Sequence, residues 1–141
     1  MSPFSDHPHV RTAVRYHEAV ARLAAPEELE PFLHPDFVHT QLPNALFPAG
    51  AARDRAETLA ASRQARTLLA EQRYEVISAV ASGDQVALEV KWSGTLAVPF
   101  GDVPAGHVLR AHIAALLDFR DGKIVAQRNY DCYEGQALAA R

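Results

Sequence analysis

Apolar and polar positions change rhythm midway along the chain. Val10, Ala13, Val14, Val20, Ala21 and Ala24 recur every three or four residues, with His17 in phase, which predicts an amphipathic helix from about residue 10 to residue 24. A second, short helix opens at Pro26-Glu27-Glu28, where a missing N–H costs little and carboxylates meet the positive end of the helix dipole. Leu29, Phe32 and Leu33 give it a buried stripe, and Pro35 ends it. Residues 36–41 read as a short strand. Residues 42–52 read as a loop, marked by Pro43, Asn44, Pro48 and Gly50. Asp54 followed by Glu57 has the form of a capping box and starts an alanine-rich third helix that runs to about Gln72.

From Arg73 onward the period is two. Tyr74, Val76, Ser78 and Val80 alternate over residues 73–81. After Ser82-Gly83-Asp84, Val86, Leu88, Val90 and Trp92 share one face of a second strand. A loop at residues 99–106 precedes a third, with Ala111, Ile113, Ala115, Leu117 and Phe119 on one side. Asp121-Gly122 is the signal of a two-residue type I′ turn, joining strands at residues 110–120 and 123–133. Three helices with one short strand among them, followed by a four-stranded antiparallel meander, make an α+β layer architecture. At about 3.3 Å per residue the last strands reach roughly 35 Å, and a sheet that long coils. Closed on its concave side by the helices, it forms a cone with a pocket at its wide end.

Composition favours a hollow cone. Of the 141 residues 48% are nominally hydrophobic, but 26 of them are alanines, so large side chains to fill a wide interior are scarce. The length suits one domain, expected over residues 9–134 between a flexible leader at 1–8 and a tail at 135–141. A net charge of -3, with arginines interleaved among acids, argues against nucleic acid as a partner. No apolar run approaches the roughly 20 residues of a membrane span, and no secretory signal is evident, so a cytoplasmic location is expected. The single cysteine, Cys132, permits no intrachain disulfide. No His/Asp/Glu cluster has metal-ligand spacing, and there is no phosphate loop and no Gly-x-Ser-x-Gly elbow, so neither metal nor cofactor is expected.

The segments Val14-Arg-Tyr-His-Glu-Ala-Val20, Leu33-His-Pro-Asp-Phe-Val38, Val86-Ala-Leu-Glu-Val-Lys-Trp-Ser-Gly-Thr95 and Phe119-Arg-Asp-Gly-Lys-Ile-Val125, with Gln127-Arg-Asn-Tyr-Asp131 after it, carry a likeness. In this order they resemble the nuclear-transport-factor-2-like (NTF2-like) superfamily, in its SnoaL-like and ketosteroid-isomerase-like branch. The resemblance implies a cone-shaped fold with a small-molecule pocket and a homodimer through the outer face of the sheet. It implies no single reaction, since the fold hosts isomerases, cyclases, dehydratases and non-enzymes.

Comparison with the ketosteroid-isomerase pattern sets Gln127, Asn129 and Asp131 on the inner face of the last strand, followed by Tyr133, where a simple core strand would carry Val or Leu. It sets His39 and Gln41 inward on the first strand, and Tyr16 or His17 inward from the first helix. Gln41 stands near the position of the isomerase base and Ala115 near its second acid. Gln127 and Asn129 stand where cyclases of this branch carry His and Asp. These residues do not titrate, which leaves Asp131 and His39 as the expected acid–base pair. Tyr16, Gln41, Gln127 and Asn129 would orient a polar handle, and Trp92, Phe119 and Phe37 would form an apolar wall. Two functions remain open beside such a cofactor-free isomerase, cyclase or hydratase-type enzyme: a non-catalytic ligand carrier or sensor, and a dimeric protein-interaction module.

Overall fold

The computed structural model describes residues 6–135. The expected C-terminal tail, and the leader up to residue 5, lie almost wholly outside this range. Helix α1 (Pro8–Ala21) starts earlier than its apolar period suggests, because Pro8 occupies the first helical position and the His7 side chain accepts a hydrogen bond from the His9 amide. His9 stacks on Phe119 at 4.2 Å and meets Asp84 at 3.1 Å, which ties the start of α1 to the narrow end of the sheet. The helix stops at Ala21, and Leu23 adopts a left-handed conformation at φ 56°. Helix α2 (Pro26–Leu29) runs through a 3-10 turn at Glu30–Phe32 into strand β1 (Leu33–Gln41). Pro35 therefore lies inside a strand rather than at a helix end.

Strand β2 (Ala51–Asp54), read from sequence as loop and helix start, pairs antiparallel with β1 from Val38↔Asp54 to Gln41↔Ala51. Helix α3 (Arg55–Leu68) opens with the expected capping box of Asp54 and Glu57 and gives way at Leu69 to strand β3 (Leu69–Ser82). Strands β4 (Gln85–Leu96), β5 (Val108–Arg120) and β6 (Lys123–Tyr133) complete the sheet. Asp121 and Gly122 have φ of 55° and 75°, as a type I′ turn requires.

Among the described residues the architecture is three α-helices on a six-stranded, curved, unclosed sheet in the order β2-β1-β6-β5-β4-β3. Every pairing is antiparallel except β1 with β6. The core lies between the concave face and α1, with Phe37, Leu33, Leu88, Leu117 and Ile124 almost fully buried. A smaller cluster of Leu69, Leu96, Val103 and Leu109 fills the far end.

Two bulges decide which side chains face inward. In β3, Val76 pairs with Val90 and Ser78 with Glu89, so Ile77 is an extra residue. Beyond it the phase inverts: Ala79 and Ala81 pack on the core, while Val80 is 65% exposed. Ser78 and Val80 thus face outward, contrary to unbroken alternation from Tyr74 and Val76. In β6, Phe119 pairs with Ile124 but Asp118 pairs with Ala126, leaving Val125 extra. Counted strictly from the Asp-Gly turn, Leu117 would face Ala126 and Ala115 would face Arg128. With the bulge, Leu117 pairs with Gln127, Ala115 with Asn129 and Ile113 with Asp131. The polar series is thereby turned into the cone.

Candidate functional site

The inner face of β6 carries two separate polar groups. Deeper in, Gln127 and Asn129 are 4% and 9% exposed, and the Gln127 amide donates to Asn129 Oδ1 at 2.9 Å. His39 lies beside them, since β1 pairs His39 with Gln127. Its Nε2 is buried with no hydrogen-bond partner among the described residues. Burial pushes the imidazole down to about 4, with the charge of Arg53 and the nearby His17 acting in the same direction and Asn129 opposing. His39 is therefore neutral at physiological pH.

Nearer the wide end, Gln41 Nε2 donates to Asp131 Oδ2 at 2.8 Å, and the Tyr133 hydroxyl donates to the same oxygen at 3.4 Å. Asp131 Oδ1 is buried and has no hydrogen-bond partner among the described residues. Burial holds the Asp131 carboxyl above its ordinary range, opposed by the bonds from Gln41 and Tyr133. The Tyr133 phenol is pushed up by burial and by the charge of Asp131, so it keeps its proton and serves as a donor. Tyr74 is raised by the same causes.

The expected pairing of Asp131 with His39 is not formed. His39 is in register with Gln127, four residues before Asp131 on β6, or about 13 Å along the strand at ~3.3 Å per residue. Gln41 and Tyr133 take the place assigned to the imidazole. Phe119 is also remote: Asp131 pairs with Ile113, six residues from Phe119 on β5 and about 20 Å away on the same scale. Phe119 supports α1 through His9 instead. Tyr16 sits in the core against His17 and Phe32 at 5.5 and 5.6 Å. Its phenol is pushed up by burial alone. His17, the alternative to Tyr16, spends Nδ1 on the Ala13 carbonyl at 2.8 Å.

Trp92 does reach the site, through partners the sequence did not reveal. Its indole N–H donates to Gln72 Oε1 at 2.8 Å, and the Gln72 amide donates in turn to the Val20 carbonyl at 2.7 Å, linking the wall of the cone to the end of α1. The ring meets Tyr133 edge to face at 6.1 Å. It lies over Gly94, where an added Cβ would stand 2.5 Å from Trp92 Cζ2. A tryptophan followed two residues later by a glycine on the same strand face is the one signal in the sequence that foreshadows this contact.

Trp92 and Tyr133 form one side of an apolar cavity of about 160 Å³ that is completed by Leu46, Phe47, Leu96 and Phe100. Leu46 and Phe47 belong to the segment between β1 and β2. There Asn44 Oδ1 accepts from the amides of both residues, and Leu42 N–H bonds the Asn129 carbonyl. A loop with its own polar scaffold thus holds two apolar side chains over the wide end. The arrangement offers an apolar cavity lined in part by Tyr133, whose hydroxyl donates to the Asp131 carboxylate.

Among the described residues no group of three His, Cys, Asp or Glu is arranged to hold a metal, and no helix is long and apolar enough to cross a membrane. The protein-family model of the SnoaL-like domain matches residues 13–127. A comparison with curated proteins found no match. Among solved structures, the chain is similar to IdmH of Streptomyces antibioticus, a proposed polyketide cyclase, with 25% identity, a TM-score of 0.70 and coverage of 89% of this chain and 92% of that one. It is also similar to AclR of Streptomyces galilaeus, a proposed hydroxylase, with 22% identity, a TM-score of 0.73 and coverage of 90% and 80%. An NTF2-like protein of unknown function from Burkholderia pseudomallei aligns at 20% identity with a TM-score of 0.66, over 92% and 91% of the two chains. With its element order, its sheet and a family match over most of its length in agreement, the chain belongs to the SnoaL-like domain family and shares its fold with NTF2-like proteins.

Proposed function

We propose that the protein binds a small hydrophobic molecule at the wide end of the cone and moves a proton at a carbon beside its polar handle through Asp131, without a cofactor. One observation carries this reading. Asp131 has both donors, Gln41 and Tyr133, on Oδ2, while Oδ1 is buried and unpartnered among the described residues. A carboxylate in apolar surroundings whose affinity for a proton is raised by desolvation is suited to general acid–base work. Gln41 and Tyr133 fix its orientation, and Trp92 completes the apolar wall. His39, Gln127 and Asn129 act as uncharged hydrogen-bonding groups deeper in the cone. Isomerisation, cyclisation and hydration or dehydration all need such a group, and the cyclase assignment of a similar structure is compatible with it.

Native mass spectrometry of the purified protein would identify a captured molecule. Proton NMR in D2O would then follow deuterium entering the carbon-bound positions of that molecule at saturating concentration. The expected result is exchange that Asp131→Asn slows at least about a hundredfold. Exchange unaffected by Asp131→Asn would overturn the proposal, and capture without any exchange would leave a ligand carrier as the function.

We further propose that two copies associate through the outer face of the sheet. Tyr130 and Val80 stand 44% and 65% exposed there, and Ala114 lies opposite Tyr130.

A further inference from the structure

The outer face of the sheet, away from Asp131, carries a groove of about 700 Å³ across β3, β4 and β5 at the wide end. The strand register arranges its cations. Ser93 pairs with Arg73 on one side and with Arg110 on the other, so two arginines flank one serine, their Cα atoms roughly 10 Å apart across two strand spacings. Lys91 precedes Ser93 by two residues on the same face of β4, roughly 7 Å away. Among the described residues Arg73, Lys91 and Arg110 form no ion pair, and the Ser93 hydroxyl is not hydrogen-bonded. Two carboxylates share the groove and leave these cations unmatched. Glu134 meets His112 Nε2 at 2.8 Å, and Glu75 stands across from Lys91 without pairing with it. By contrast Arg22, Arg55, Arg120 and Arg128 each have a carboxylate partner. Like charges kept close on one sheet face repel, and an anion placed among them removes the repulsion.

We infer that this groove is a second binding site, for a small phosphate monoester whose head group sits over Ser93 between Arg73 and Arg110, with Lys91 as the third cation. The head group follows from the arrangement of donors. A carboxylate is planar and its two oxygens are met by one guanidinium fork. A phosphate monoester directs three oxygens to different sides and carries close to two negative charges at neutral pH, so two arginines, a lysine and a hydroxyl can bind it at once. A phosphodiester, with one charge and two free oxygens, uses fewer of them. The groove volume lies within the roughly 300–1,000 Å³ of small-molecule sites, which leaves room for the organic part of the ester. The site is separate from the rows proposed for association, since Val80 and Tyr130 lie nearer the narrow end of the same face.

n-Propyl phosphate and butyrate carry the same three-carbon chain on different head groups, and dimethyl phosphate supplies the diester. Each would be titrated into the isotope-labelled full chain at pH 7.5 and low salt, with amide shifts in proton–nitrogen NMR spectra as the readout. The expected result is saturable binding of propyl phosphate, at least about tenfold tighter than of butyrate or dimethyl phosphate, with the largest shifts around Ser93 and Arg110. Arg73→Gln and Arg110→Gln should each weaken it at least about tenfold. Lys123→Gln removes the same charge at the Asp-Gly turn, at the opposite end of β6, and should leave it within about twofold. No saturable binding of propyl phosphate, or shifts that fall elsewhere, would overturn the site. Equal binding of butyrate or dimethyl phosphate would overturn the monoester, and an equal loss in Lys123→Gln would reduce the effect to net charge and overturn the site as well. The first comparison uses the unaltered chain, so the test does not depend on the folding of a variant.

Discussion

Substituting Gly94 with alanine tests how tightly the wall of the pocket is built. Gly94 is buried in β4 and has no left-handed backbone requirement, so an alanine there would ordinarily stabilise the strand by about 0.5–1 kcal/mol through reduced chain entropy. Here its Cβ would stand 2.5 Å from Cζ2 and 2.8 Å from Cη2 of Trp92, and 3.3 Å from Cδ2 of Leu69. The first two distances are far inside van der Waals contact, so the indole must move. Overpacking of this kind costs about 1–3 kcal/mol. Moving the ring also breaks the 2.8 Å bond from Trp92 to Gln72, a loss of about 1 kcal/mol. Gly94→Ala is therefore expected to destabilise the protein by about 1–3 kcal/mol net, a fall in Tm of several degrees for a chain of this size. Urea unfolding followed by far-UV circular dichroism would measure it. Trp92 is the only tryptophan, so its emission reports the displacement directly. Trp92→Phe removes the two crowded atoms, and in that background Gly94→Ala should cost much less, a positive coupling in a double-mutant cycle. A Gly94→Ala protein as stable as the parent, with unshifted emission, would refute the packing argument.

The buried imidazole of His39 makes stability depend on pH. Its affinity for a proton is depressed to about 4 in the folded chain against 6.5 in the unfolded one. Its contribution is fully present above pH 6.5 and is lost as pH falls toward 4, by about 3 kcal/mol at 1.36 kcal/mol per pH unit. His39→Gln should flatten this part of the stability profile measured by urea unfolding; a profile unchanged between pH 4 and 6.5 would contradict the assignment. For the proposed association, sedimentation at micromolar concentration should give a dimer that Tyr130→Glu converts to monomer, and a monomeric parent protein would refute the interface.

Much of the fold was legible where local chemistry and tertiary structure agree. The Asp54–Glu57 capping box, the Asp121-Gly122 turn and the limits of β6 depend on neighbouring residues alone. Strand β2 was hidden because Ala51-Ala52-Arg53-Asp54 has no alternation and is held extended by pairing with β1. Residues 69–72 read as the end of a helix for a similar reason, being claimed by β4 and by the small core cluster around Leu69. At the site, resemblance supplied the inner polar series of β6, and the structure agrees with it there. Counting from the hairpin turn would not have done so, since the Val125 bulge has no signature in residue type. The joining of Asp131 to Gln41 and Tyr133 rather than to His39 follows from the parallel register of β1 on β6, which one sequence does not specify.

That bulge has a consequence for how such a site arises or disappears. Loss of Val125 would remove the bulge and leave Gln127, Asn129, Asp131 and Tyr133 facing inward, whereas the same residues paired without the bulge would present Arg128, Tyr130 and Cys132 to the interior and send those four to the outer face. Every side chain of the site would survive, and none would be where it is used. The pocket of this protein is thus encoded as much by one irregular pairing as by the letters of the strand. Changes that decide whether the bulge forms are the ones that would convert a lined cone into a differently lined one in a single step.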